Sequence, residues 1–304
     1  MPKNKKHNAI QGIKNLSLIL DQIKINQIRS TYFIQVMYNT SVLLDKLQTF
    51  EVNNHVAILA GYAVLLSFIE FKTLKGFKYT LRLLPWLFLN EFLVNKYVVS
   101  IFDTGLNIFQ DRRVFSKVPM FSNSILNFVL TFFLFEFMTY VVHCCFHRNE
   151  YLWNLHKVHH NTSEMTWSLT FKSHFLENLL FLLPPFVLVY FFDVHLLSLW
   201  LYQSLSFFWG VFVHSKSDRV MPDFVEKYLN TIKAHHWHHY KSTIHNGGQN
   251  FGNLSLIFDI IFKTKHNPKD YPTEVGMSDY EVLNISLKDE LLNPLISNYK
   301  KMIS

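Results

Sequence analysis

Residues 121–142, FSNSILNFVLTFFLFEFMTYVV, hold one charge, Glu136, and run without a break into His143. As helix, a stretch this long and apolar reaches across about 30 Å of hydrocarbon. It restricts the chain to folds that keep lipid as part of their solvent. Four more runs repeat the pattern: 55–71, 79–101, 175–192 and 194–213. The first two are interrupted by Glu70, Arg82, Glu91 and Lys96, and the last two flank Asp193. Pro184-Pro185 is predicted to kink 175–192. Composition agrees: 49% of the 304 residues are hydrophobic, 30 are Phe, and 17% are charged, against roughly 25% in ordinary soluble domains. Disorder is excluded. Buried core helices of a soluble α protein are the alternative, and five long runs in one chain weigh against it. The opening MPKNKKHNAIQGIK is polar and basic with no apolar segment directly behind it, so no secretory signal is expected.

Histidine is the anomalous residue, with 16 in the chain and 13 of them between His143 and His245. They fall into boxes. His143 and His147 form HxxxH; His156, His159 and His160 form HxxHH; His235, His238 and His239 form a second HxxHH; and His214 closes the last apolar run. On a helix, positions i, i+3 and i+4 share a face, so each box is expected to offer two or three imidazoles to one centre. His236 lies off the matching positions of its box. Cys144 and Cys145, the only cysteines, sit off the HxxxH face and read as small apolar filler. His7, His55 and His266 lie outside the cluster and read as solvated or interfacial, and His195 as a polar cap at the turn.

Placement adds to spacing. The run 121–142 ends at the first box, and the pair 175–192 and 194–213 leaves the second box, turns near Asp193 and returns to His214. All boxes are therefore expected at one membrane face. That side carries Arg148, Lys157, Lys172, Lys216, Arg219, Lys227, Lys233 and Lys241. The positive-inside rule makes it cytoplasmic. The loop 72–78 agrees, whereas the basic N-terminus falls outside and disagrees.

Neutral imidazole suits Zn, Cu, Fe and Ni. Eight box histidines with His214 exceed one four-ligand site and fit two metals. Nitrogen ligands with open positions at a lipid boundary suit O₂ chemistry, for which iron is the redox-capable choice. Zinc would be limited to hydrolysis or structure. The expected fold is all-α: a multi-pass transmembrane helical bundle with a cytoplasmic histidine-rich cap holding a dimetal centre. Residues 1–50 form a peripheral segment, 51–265 the membrane-embedded catalytic domain, and 266–304, rich in Asp, Glu, Lys, Asn and Pro, a soluble tail.

The boxes and their surroundings resemble the fatty acid hydroxylase superfamily, which includes sterol desaturases, sterol methyl oxidases, fatty acid 2-hydroxylases and alkylglycerol monooxygenases. The resemblance covers about residues 120–265. It is carried by His143–Glu177, with its Trp-x-x-His-x-x-His-His run in the manner of a bacterial branch. It is carried also by the closing element, in which HxxHH is followed by Asn250-Phe251-Gly252 and then Phe258-Asp259-Ile260-Ile261-Phe262-Lys263-Thr264. Lys172 stands where the family often has Arg, Phe175 where it has Pro, Phe258 for Trp and Lys263 for Gly. The resemblance implies a di-iron centre, O₂ as cosubstrate, and ligands at His143, His147, His156, His159, His160, His214, His235, His238 and His239. His174 matches a further family histidine, a possible additional ligand or supporting residue. Asn250 and Asp259 are expected to orient ligands, since a metal-bound imidazole needs a partner on its other nitrogen, with helix capping or turn formation as the alternative.

The activity so implied is hydroxylation or desaturation of a lipid C–H bond, sterol, fatty acyl or related. No flavin, haem or ferredoxin module is evident in the sequence, so electrons are expected from an external reductase–ferredoxin or comparable chain. No nucleic-acid partner is expected. The competing class is a membrane zinc hydrolase or transporter using the same histidines. A transporter places ionisable ligands mid-span, whereas these boxes flank the spans. A non-catalytic lipid-binding relative is disfavoured by the complete ligand set.

Overall fold

The computed structural model describes residues 85, 86, 89, 104, 118–217, 221–241, 247–277 and 286–303. All lie in the second of the two units into which the chain divides, Tyr62–Ser304. The expected spans 55–71 and 79–101, the peripheral segment 1–50 and His245 lie wholly or largely outside the described residues. The described residues are helical and include no strand, only isolated bridges such as Val118 with Phe192.

Helix α1, Ser124–Arg148, is the one described helix long and apolar enough to cross a membrane; its 25 residues rise about 37 Å. It continues past the predicted end at 142, so both members of the first box ride on one rod. Asn123 starts it by accepting from the amides of Ile125 and Leu126. Its patterning is inside-out. Ile125, Val129, Phe133, Phe137 and Val141, spaced by four, are exposed, while Asn127, Thr131, Glu136 and Thr139 are buried. A water-facing helix has the reverse arrangement; apolar outside and polar inside is the pattern for a lipid solvent.

Asn149 ends α1 through its amide to the Cys145 carbonyl, and its side chain caps α2, Glu150–His160, by accepting from Tyr151 and Leu152. One residue thus makes the corner that sets the second box beside the first. A 3-10 turn, Trp167–Phe171, leads to α3, Phe175–Leu180, and α4, Leu183–Phe191. The predicted kink is instead a break: the chain leaves helix at Phe181 and Leu182, and the prolines open α4. Proline lacks an amide proton and is at home in a first turn. Helix α5, Leu196–His214, returns alongside α1. Then come α6, Asp223–Tyr228; α7, Ile232–His238; α8, Ile257–Ile261; and α9, Leu287–Ile303.

The far end is tied by Asn127, which donates to the carbonyls of Phe121 and Asp193 and accepts from the His195 amide and the Ser198 hydroxyl. The turn around Asp193 therefore lies at the opposite end of α1 from the boxes, and α1 and α5 both run toward the histidines. Between them, Phe135 stacks on Tyr202 at 4.2 Å within a core of Leu188, Val189, Val194, Leu199 and Leu254. Glu136 accepts from the Tyr202 hydroxyl at 2.5 Å, from the Leu254 and Ser255 amides at 3.2 and 2.8 Å, and from the Ser255 hydroxyl at 3.0 Å. Every lone pair of this buried carboxylate is used, and it clamps the loop after α7 to both long helices.

The tail expected to be soluble is partly docked. Asn154 on α2 donates to Asn298 on α9 at 2.7 Å, and Asn298 donates back to the Tyr151 carbonyl at 3.0 Å. Lys172 and Lys233, counted above among the basic residues of the side that carries the boxes, are buried and face Glu290 and Glu226. They contribute to packing rather than to the charge of the site end.

Candidate metal centre

His143 and His147 sit one turn apart at the end of α1, His214 is the last residue of α5, and the HxxHH boxes end α2 and α7. These termini meet, and the nine imidazoles sort into two groups. His143, His147, His156, His160 and His238 form one; His159, His214, His235 and His239 form the other. Within each, the potential ligand nitrogens lie within 4.8 Å of one another. The groups share a wall, with the His160 and His239 ring centres 4.3 Å apart.

The sorting refines one expectation: the HxxxH box serves one group, His143 and His147 together, but each HxxHH box gives two imidazoles to one group and the third to the other. His156 and His160 go to the five-histidine group and His159 to the other; His235 and His239 go to the four-histidine group and His238 to the other. Helix geometry gives the reason. Positions i and i+4 are about 40° apart around the axis, and i+3 lies about 60° away on the other side. An HxxHH helix in the seam between two pockets feeds its i,i+4 pair to one and its i+3 residue to the other.

The rings are oriented from behind. Nδ1–H donates to the Phe251 carbonyl from His143 (2.9 Å), to Glu177 from His156 (2.7 Å), to the Lys172 carbonyl from His159 (3.0 Å), to the Gly210 carbonyl from His214 (2.7 Å) and to the Gln249 carbonyl from His238 (2.7 Å). The carbonyl oxygens, and Glu177 as a carboxylate, only accept, so they fix the proton on Nδ1 and leave a lone pair on Nε2. The Nε2 atoms then face each other: His143 to His156 at 3.1 Å, His160 to His156 at 3.1 Å, and His214 to His159 at 3.1 Å. Among the described residues, both ring nitrogens of His147 and His239, Nδ1 of His160 and Nε2 of His238 have no hydrogen-bond partner at all. Lone pairs crowded without protons repel unless a cation lies among them. The donor set fits two metal ions of imidazole preference, and the carbonyls and Glu177 are the outer partners such ligands need.

Burial keeps the rings neutral. It lowers the pKa of His156 to about 3 and, helped by the neighbouring His156, that of His159 to about 4. His160, His235, His238 and His239 lie well below their ordinary value through burial first and neighbouring rings second. Trp153 lies against the rings of His147 and His160, and Phe146 with Phe181 backs His156.

Other expected site residues stand elsewhere. His174 belongs to neither group: its Nδ1 accepts from the Leu176 amide, capping α3, and its Nε2 donates to the Leu291 carbonyl. Asn250 and Asp259 touch no imidazole. Asn250, at a φ of 52°, donates to the Ala234 and His266 carbonyls and accepts from the His266 amide. Asp259 accepts from the Phe251 and Gly252 amides at 2.8 Å each. Both hold backbone, and Asp259 reaches His143 only through Phe251. His236 donates to the Ser215 carbonyl, outside the groups. Cys144 packs with Tyr140 and Phe251, and Cys145 is exposed. The orienting carboxylate Glu177 escaped the sequence reading; its only signal was a lone acid in an apolar run.

The fatty acid hydroxylase family model matches residues 128–264, a stretch holding all nine histidines. The chain is also 28% identical over 153 residues to the ornithine lipid hydroxylase OlsE of Rhizobium tropici, a match covering 49% of this chain and 45% of that relative. No solved structure matches the chain.

Proposed function

We propose that this chain, which belongs to the fatty acid hydroxylase superfamily, is an integral membrane, O₂-dependent, di-iron hydroxylase acting on a C–H bond of a membrane lipid. The observation that carries this reading is the pair of buried histidine groups with Nε2 lone pairs turned inward. His143, His147, His156, His160 and His238 would hold one ion, and His159, His214, His235 and His239 the other. Iron bound there supplies redox chemistry with O₂ able to attack an unactivated C–H bond, given electrons from an external donor.

The chain's own residues do the rest. The carbonyls of Phe251, Lys172, Gln249 and Gly210, with Glu177, hold the rings in one tautomer and aim them. Trp153, Phe146 and Phe181 cover the rings with apolar surface and keep bulk water off them. The exposed stripe of α1 gives the lipid substrate its approach. A polar membrane lipid is the substrate class that the family name and the lipid hydroxylase relative favour. Exposed Arg148 and Lys216 at the histidine end support a cytoplasmic site by the positive-inside rule, with further spans completing a multi-pass bundle.

The test is metal analysis of the full chain purified after iron-replete expression, with lipid mass spectrometry of the host. About two irons per chain, and a lipid species heavier by one oxygen atom that appears only in air, are expected. Zinc occupancy with O₂-independent product formation would replace this reading with a membrane zinc hydrolase.

A further inference from the structure

We infer that Glu290 is a positioning residue for the four-histidine group, although it lies on α9, beyond the segment matched by the family, and touches no histidine. The inference rests on the metal-centre reading above. Glu290 and Lys172 form an ion pair at 2.7 Å, both nearly excluded from solvent at 9% and 5% exposure. The same carboxylate oxygen accepts from the Asn161 side chain at 2.8 Å, and the other accepts from the Trp86 indole at 3.2 Å. Lys172 also donates to the Asn161 carbonyl. Asn161 directly follows His159-His160 and ends α2.

The triangle of Glu290, Lys172 and Asn161 thus grips His159 from two sides. Asn161 fixes the chain just past it, and the Lys172 carbonyl, 3.0 Å from His159 Nδ1, fixes its ring. Removing one partner of a buried ion pair leaves a charge that the interior cannot solvate. Without Glu290, the Lys172 ammonium must move to find water, and its peptide moves with it. His159 is the only ligand α2 gives to the four-histidine group. In the other group His156 is held separately by Glu177. His160, next to Asn161, belongs to that other group but takes no bond from the Lys172 carbonyl, so the larger effect should fall on the four-histidine group.

The full chain in detergent is loaded with cobalt(II), and cobalt per chain is measured with the visible spectrum. Wild type, Glu290→Ala, Glu290→Gln, Asn298→Ala and His159→Ala are compared. Asn298→Ala loosens α9 from α2 without touching the triangle. Wild type should take up two cobalt ions. Glu290→Ala should take up one, with the spectrum of His159→Ala, while Asn298→Ala keeps two. Glu290→Gln, which retains a carbonyl oxygen for Asn161, should keep more of the second ion than Glu290→Ala. Two ions and a wild-type spectrum in Glu290→Ala would overturn the inference, as would equal losses in Glu290→Ala and Asn298→Ala. If Glu290→Ala does not accumulate, Glu290→Gln is read instead, since it removes the charge opposite Lys172 but keeps an oxygen for Asn161. Partial loss of the second ion supports the role, and two ions with a wild-type spectrum overturn it. A wild type that binds no cobalt removes the metal-centre reading itself, and this inference with it.

Discussion

His156 Nδ1 and Glu177 Oε1 stand 2.7 Å apart, among the described residues the one contact in which a carboxylate rather than a backbone carbonyl orients a ring of the cluster. The imidazole is neutral and donates, so its Nε2 faces His143 and His160 as a lone pair. Partners of this kind typically contribute 10- to 100-fold in metal affinity. Glu177→Ala should weaken binding to the five-histidine group by about that factor, and Glu177→Gln by less, because its amide oxygen still accepts. Competition with a chelator of known affinity measures both.

The split boxes predict that neighbouring histidines empty different groups. His159→Ala should lose the ion of the four-histidine group and His160→Ala that of the five-histidine group. Each variant keeps about one metal per chain with a distinct spectrum, and neither forms product if both ions are needed. Identical spectra from the two variants would contradict the sorting.

Gly247 and Gly248 make a matched pair. Both have positive φ, 87° and 75°, but a Cβ at Gly247 meets nothing within 4 Å, whereas one at Gly248 would lie 2.8 Å from His147 Nδ1 and 2.7 Å from the Phe251 ring. Both alanine variants pay backbone strain of about 1–3 kcal/mol. Only Gly248→Ala should also displace His147 and reduce metal content. Thermal melts and metal analysis run side by side separate the two effects.

Glu136 should matter for stability more than for chemistry. Glu136→Leu leaves the Tyr202 hydroxyl, two amides and the Ser255 hydroxyl without their acceptor, a loss of about 3 kcal/mol or more. Glu136→Gln should cost less. The shift in unfolding midpoint in a fixed detergent reads the difference.

Lys263 holds a φ of 59°, in the left-handed region, where the resembled family element has glycine. Lys263→Gly should relieve that strain and lose some chain entropy, for a net gain of about 1 kcal/mol or less. A lower unfolding midpoint in this variant would contradict the reading.

The candidate ligands were legible because they are local. Box spacing and the placement of 121–142 and 194–213 named nine histidines and put them at one end of the long helices, where the structure has them. The division of each HxxHH box between two groups was not legible, because it depends on where α2 and α7 lie relative to each other. The supporting residues were missed for a similar reason. Glu177 meets His156 across 21 positions and Glu290 meets Asn161 across 129, and periodicity carries no information at that range. Of the two roles weighed for Asn250 and Asp259, turn formation rather than contact with a ligand is the one the structure shows. They set the backbone, and the backbone carbonyls set the rings.

Val141, the last member of the outward apolar stripe on α1, precedes His143 by two residues, or about 3 Å of rise. On the proposed reading, one unbroken rod would set the level of the metal centre relative to the membrane face. No hinge separates the apolar stripe from the histidines within α1, so lengthening or shortening α1 by a turn should change which carbon of a lipid substrate is oxidised.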